Sequence, residues 1–202
     1  MRTYPEGFEV IADLGDKIVE GLAESIERTR DDLRSYRDWR PDIVADHTER
    51  GLANWLHDRV WRHLTTLLDA VPNVYFRDTE PIREFYVYPK YRFRMKRHGE
   101  DGTVRSYPTQ AVLEFMEQPM LDGDVEIRLI AGYEWDRDAR TMGAAVVSLH
   151  DGEDNVVWME RLPAPGRGRA VTVPVPPVVG PAPPMIDLAG DAASEGRESE
   201  GR

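Results

Sequence analysis

The sequence predicts an α+β fold: an N-terminal antiparallel helical hairpin packed on a mainly antiparallel β-sheet, with one short interposed helix and a disordered C-terminal tail. Three observations predict it. Apolar residues recur at three- and four-residue spacing up to residue 71, and the period changes to two after Asn73. Eight of the fifteen prolines then crowd between residues 163 and 184. The chain thus reads as a single α+β domain over 1–162 followed by a tail over 163–202, Pro-rich first and acidic after.

Ile11, Leu14, Ile18, Leu22, Ile26, Leu33 and Tyr36, with Thr29 in the remaining slot, describe one stripe on a single long helix. Asp13 before Lys17 and Glu24 before Arg28 support its opposite side at i,i+4 spacing. Pro41 ends it by pushing the preceding residue out of helical geometry. Asp46 followed by Glu49 reads as a capping-box opening for a second helix, whose buried face is Leu52, Ala53, Leu56, Val60, Leu64, Leu67 and Val71, and which Pro72 stops. Trp55 and Trp61 sit on opposite edges of that apolar sector, where packing against the sheet competes with a wider contact surface.

Within Arg83 to His98, Tyr91, Phe93 and Met95 alternate with Lys90, Arg92, Arg94 and Lys96, giving a strand with one apolar and one basic face. Pro89 requires an edge, a bend or a bulge. HGEDGT at 98–103 is a hairpin turn leading to a short return strand at Val104 and Arg105. A short helix follows, with Pro108 in its first turn, Val112, Leu113 and Met116 on its apolar side and Pro119 after it. Strands near 125–135, 141–149 and 155–162, separated by the turns DRDA and DGEDN, complete an antiparallel meander. The last thirteen residues, GDAASEGRESEGR, hold no apolar group larger than alanine and cannot offset their ordering entropy.

Composition narrows the function. Without cysteine there are no disulfides, thiolate zinc sites or cysteine nucleophiles. No apolar run approaches the roughly 20 residues of a membrane helix, and the N-terminus lacks a signal-peptide core, so a cytoplasmic location without a membrane partner is expected. A net charge of −11 argues against a surface broadly attractive to nucleic acid or anionic lipid. The strong preference for arginine over lysine suggests GC-rich coding, hence a bacterium or its phage.

The most suggestive local feature is the basic strand. Lys90, Arg92, Arg94, Lys96, Arg97 and Arg105, with Tyr86, Tyr88 and Tyr91 nearby, present the cations and rings that engage phosphates and bases. The competing reading pairs these arginines with carboxylates on a neighbouring strand, Asp124 and Glu126. Asp124, Glu126 and Arg128 superficially resemble a metal-dependent nuclease core, but with arginine where a proton-shuttling lysine is expected. Of the five histidines none forms an HExxH pair, and His63 reads as a hydrogen-bonded core residue. Nucleophile-elbow and phosphate-loop signatures are absent, so no catalytic residue, metal or cofactor is assigned. In the tail, Met185, Ile186 and Leu188 form an apolar island of the kind that docks on partners. The expectation is a non-enzymatic bacterial or phage-borne interaction or regulatory protein acting in a protein complex, with homo-oligomerisation compatible. A nucleic-acid binder using strand 90–97 and a nuclease-like enzyme near Asp124 are the alternatives.

Overall fold

The structure is a computed structural model that describes residues 4–79, 82–104, 109–118, 126–152, 155–166 and 171–173. Its helical layer consists of α1 (Gly7–Leu14), α2 (Asp16–Trp39), α3 (Pro41–Asp46) and α4 (Glu49–Leu68). The expected single first helix is therefore two. Gly15, at φ +79, breaks the stripe in a left-handed conformation that a side chain would strain, and α2 restarts at Asp16.

Pro41 does not merely stop α2; it occupies the first turn of α3, where its missing N–H costs nothing. Asp46 is the last residue of α3, and the cap of α4 is Thr48, whose hydroxyl accepts from Gly51 N at 3.0 Å. The expected capping aspartate was thus two residues early.

α2 and α4 run antiparallel: an added Cβ at Gly21 would meet Leu68, Asp32 bonds Arg59 and His63, and Tyr36 packs on Trp55, so α4 numbers fall as α2 numbers rise. Leu52, Leu56, Val60, Leu64 and Leu68 form the buried line of α4, with Trp61 beside it. Ala53 and Leu67, expected in that line, are only half-buried. Trp55 and Trp61 both pack within the molecule, Trp61 donating its indole N–H to Asp78 at 2.8 Å.

Among the described residues seven strands form one sheet in chain order: β1 (Val74–Thr79), β2 (Ile82–Val87), β3 (Tyr91–His98), β4 (Ile127–Asp136), β5 (Thr141–His150), β6 (Val156–Arg161) and β7 (Val171–Val173). All neighbours are antiparallel except β3 and β4, which are parallel, and the crossover between them carries α5 (Gln110–Met116). Residues 88–90 turn between β2 and β3 through a cis Tyr88–Pro89 peptide. Of the expected return strand at 104–105, Val104 forms a bridge with His98, and Arg105 lies outside the described residues. Val171–Val173, within the segment read as tail, pairs with β6. A β-branched run beside an open edge suits a ladder. Residues 163–166 of that segment are described outside any helix or strand, while 167–170 and 174–202, Met185, Ile186 and Leu188 included, lie outside the described residues.

The two faces of the sheet are covered differently. Phe85, Phe93, Met95, Leu129, Val147 and Leu149 meet the helical layer in the main core. On the other face α5 shields a smaller cluster of Val104, Phe115, Met116 and Ile130. No helix among the described residues is long and apolar enough to cross a membrane.

Candidate functional site

The α5 face carries the polar groups that the sequence singled out, and β-strand alternation puts them there. Glu84 and Tyr86 of β2, Arg92 and Arg94 of β3 and Arg77 of β1 share one side because Arg77 pairs with Glu84, Glu84 with Arg94 and Tyr86 with Arg92. Glu84 is the centre. Its side chain is 0 % exposed, and it accepts from Arg92 Nη2 at 2.8 Å to both oxygens and from Arg94 Nε at 2.7 Å. The Tyr86 hydroxyl adds a third donor at 2.9 Å, and Arg77 stands at 4.0 Å. Burial pushes the Glu84 carboxyl up, but the hydrogen bonds from Arg92, Arg94 and Tyr86 outweigh it and hold the group below its ordinary value.

The arginines are held from above as well. Arg94 lies over the Phe115 ring at 4.2 Å and donates Nη1 to the Ala111 carbonyl at 2.9 Å, tying α5 to the sheet. Arg92 reaches Glu126 at 3.3 Å, and Arg128 donates to the carbonyls of Glu114 and Glu117 near the end of α5. Gln118 completes the clamp by donating to the Arg128 and His150 carbonyls and accepting from Arg128 N.

The five basic residues of the sequence reading that lie within the described residues, Lys90, Arg92, Arg94, Lys96 and Arg97, therefore do not form one open row. Lys90 bonds Asp13 at 2.7 Å together with the Tyr91 hydroxyl, which burial and Asp13 push up to about 12. Lys96 is half-buried, its ammonium shifted down by desolvation and by Arg94. Arg97 turns to the helical side of the sheet, onto Glu49 and the Trp135 ring. Glu126 does meet Arg92, as one reading required, whereas Asp124 lies outside the described residues. The dominant carboxylate, Glu84, was missed. Its signal was there: in Glu84-Phe85-Tyr86-Val87 the acid falls on the polar side of an alternating strand, one strand before the arginines.

What this face leaves open lies at its edge. Tyr75 and Tyr88 are 59 % and 65 % exposed and meet edge to face with ring centroids 6.3 Å apart. Arg77 beside them is 53 % exposed, because Glu84 is already satisfied by nearer donors. Among the described residues β1 is the end strand of the sheet. Since Tyr88 N donates to Asn73 O at 2.8 Å, antiparallel alternation turns the backbone groups of Phe76 and Asp78 to the outer edge.

Elsewhere, His63 bonds Asp32 at 2.7 Å. Two further histidines, His98 and His150, flank Ser148 in full burial, at 2.8 Å and 3.0 Å from its hydroxyl. The described residues contain no group of three or more His, Asp or Glu arranged to hold a metal. Comparison of the chain with known protein families, with characterised proteins and with solved structures finds no match.

Proposed function

We propose that this protein is a non-enzymatic interaction protein, a member of a bacterial or phage-borne complex, that docks an extended segment of a partner protein along the outer edge of β1. The observation that carries the reading is the coincidence, at one place, of an end strand and the exposed pair Tyr75 and Tyr88. Extended peptides add to such edges through main-chain hydrogen bonds, with side-chain contacts on alternate residues supplying selectivity. Exposed tyrosines are efficient anchors because they bring large area at small entropic cost. Arg77 is the outermost cation of a cluster in which one buried carboxylate faces three guanidinium groups, so the partner segment is one that places an acidic side chain beside an aromatic or aliphatic one.

Protein is favoured over nucleic acid because Arg92 and Arg94 already have their carboxylate and carbonyl acceptors, and a phosphate would have to displace them. The test uses the full chain with a photo-crosslinking amino acid at position 75, and a control carrying it at Trp39, which is exposed elsewhere on the surface. Exposure to native lysate, with nucleic acid retained or digested, is expected to give a protein adduct at position 75 only, insensitive to nuclease. The purified captured protein should then slow exchange of the β1 amides and bind at least tenfold more weakly after Tyr75→Ala with Tyr88→Ala. Capture that vanishes on nuclease treatment, an adduct to a second copy of this chain, or equal capture at both positions defeats the proposal.

A further inference from the structure

A second feature is independent of the β1 edge. Where β3 and β4 end beside the first turn of α4 there is a cavity of about 250 Å³, lined among others by Glu49, Arg97, Asp101, Thr103, Trp135 and Arg137. Its polar groups do not balance. The Glu49 carboxylate is shared between Arg97 at 3.3 Å and Arg140 at 3.8 Å, neither in a bidentate grip. One Asp101 oxygen is taken by the backbone N–H and hydroxyl of Thr103, which stabilise the turn.

On the donor side, Arg137 is exposed and has no ion pair among the described residues. The indole N–H of Trp135, a residue that lines the cavity and is only 7 % exposed, has no hydrogen-bond acceptor among the described residues. Buried N–H groups are rarely left so. Arg97 is meanwhile preset, its guanidinium resting on the Trp135 ring at 5.2 Å.

We infer that this cavity binds a small oxyanion, a phosphate or carboxylate group, between Arg97 and Arg137. The guanidinium forks supply paired donors matched to two oxygens, and Glu49 yields part of its weak hold on Arg97 to the stronger ligand. The volume lies below the roughly 300–1,000 Å³ of sites for drug-sized molecules, so the ligand is inorganic phosphate or a compact organic acid. No bond is made or broken in this step; the site is one of recognition.

The five indole N–H signals of the full chain report on the site, that of Trp135 being assigned by its loss in Trp135→Phe. They are followed by ¹H–¹⁵N spectroscopy during titration with phosphate, sulfate or succinate at constant ionic strength. The expected result is a saturable shift of the Trp135 signal with at least one anion, the signals of Trp39 and Trp158 staying still. Affinity should fall about tenfold in Arg137→Gln, an exposed site whose replacement leaves the fold intact, and in Arg97→Gln. A response to phosphate and sulfate alone assigns the site to a phosphate group; a response to succinate alone assigns it to a carboxylate. The inference is overturned if no anion gives saturation, if all indoles shift together, or if Arg137→Gln binds as the unaltered chain does.

Discussion

Glu84 shows how one side chain decides the character of a surface. A carboxylate with no exposed area is costly to desolvate, and it survives here because two guanidinium groups and a phenol surround it. The cluster in turn occupies Arg92 and Arg94, two of the cations by which sequence alone marks the strand as basic. Removing the acid leaves Arg92 and Arg94 facing each other without their main counter-charge, so Glu84→Ala should destabilise by about 3 to 5 kcal/mol. Tyr86→Phe, which deletes one donor and keeps the charge pairs, should cost only about 1 kcal/mol. Urea denaturation of both variants checks the order, and a Glu84→Ala loss no larger than that of Tyr86→Phe would show that the arginines find other partners. Because the carboxyl is held below its ordinary value, its contribution is present above the unfolded value near 4.5 and fades as acid protonates it.

At the scale of elements, α4 shows why a face can be read correctly and still be misplaced by one residue. Its buried line steps by four throughout, from Leu52 to Leu68, following the ridge that packs against α2. Reading the last step as three selects Leu67, but Gly21 of α2 opens the space that Leu68 fills, and this is a property of the partner helix. Leu56→Ala and Leu64→Ala, at sites with 0 % exposure, should each cost about 2 to 5 kcal/mol. Leu68→Ala should fall in the same range and Leu67→Ala well below it; thermal melts of the four variants test the face, and equal losses at 67 and 68 would refute it. Strands β3 to β6 and helix α5 were legible because alternation marks β3, Pro119 follows α5, and the polar turns DRDA and DGEDN separate β4, β5 and β6, whereas β2 was not separated from β3. β1 was not legible, since Val-Tyr-Phe-Arg-Asp-Thr alternates weakly and most of its side chains are exposed. The basic residues of the candidate site were visible in the sequence, but their assembly was not, because register across three strands decides which acid they meet.

For the molecule as a whole, the smaller core beneath α5 makes stability depend on pH in a direction that the structure sets. His98, Ser148 and His150 are buried together, each Nε2 reaches the serine hydroxyl, and the hydroxyl lies 3.4 Å from the Ile130 carbonyl. Ser148 has one proton to give. If it goes to Ile130, both neutral histidines donate through Nε2–H, which leaves each Nδ1 as a lone pair within the buried cluster. Protonation would place an N–H and a charge at those same positions. Burial therefore lowers His98 to about 3, with the neighbouring His150 acting in the same direction against an opposing contact with the Lys96 backbone, and lowers His150 to about 4. The folded state keeps both rings neutral while the unfolded chain takes up protons below about 6.5, so stability is full above that value and falls with acidity until the folded values are reached. Between pH 7.5 and pH 5 the loss should be about 2 kcal/mol for each of the two rings, with His57, also lowered by burial, adding to it. Denaturation midpoints across that range provide the measurement, and the slope should flatten in His150→Gln, whose amide can still donate to Ser148 without titrating. A stability that stays level from pH 7.5 to 5, or a slope unchanged by His150→Gln, would mean that this core opens to water and accepts the proton.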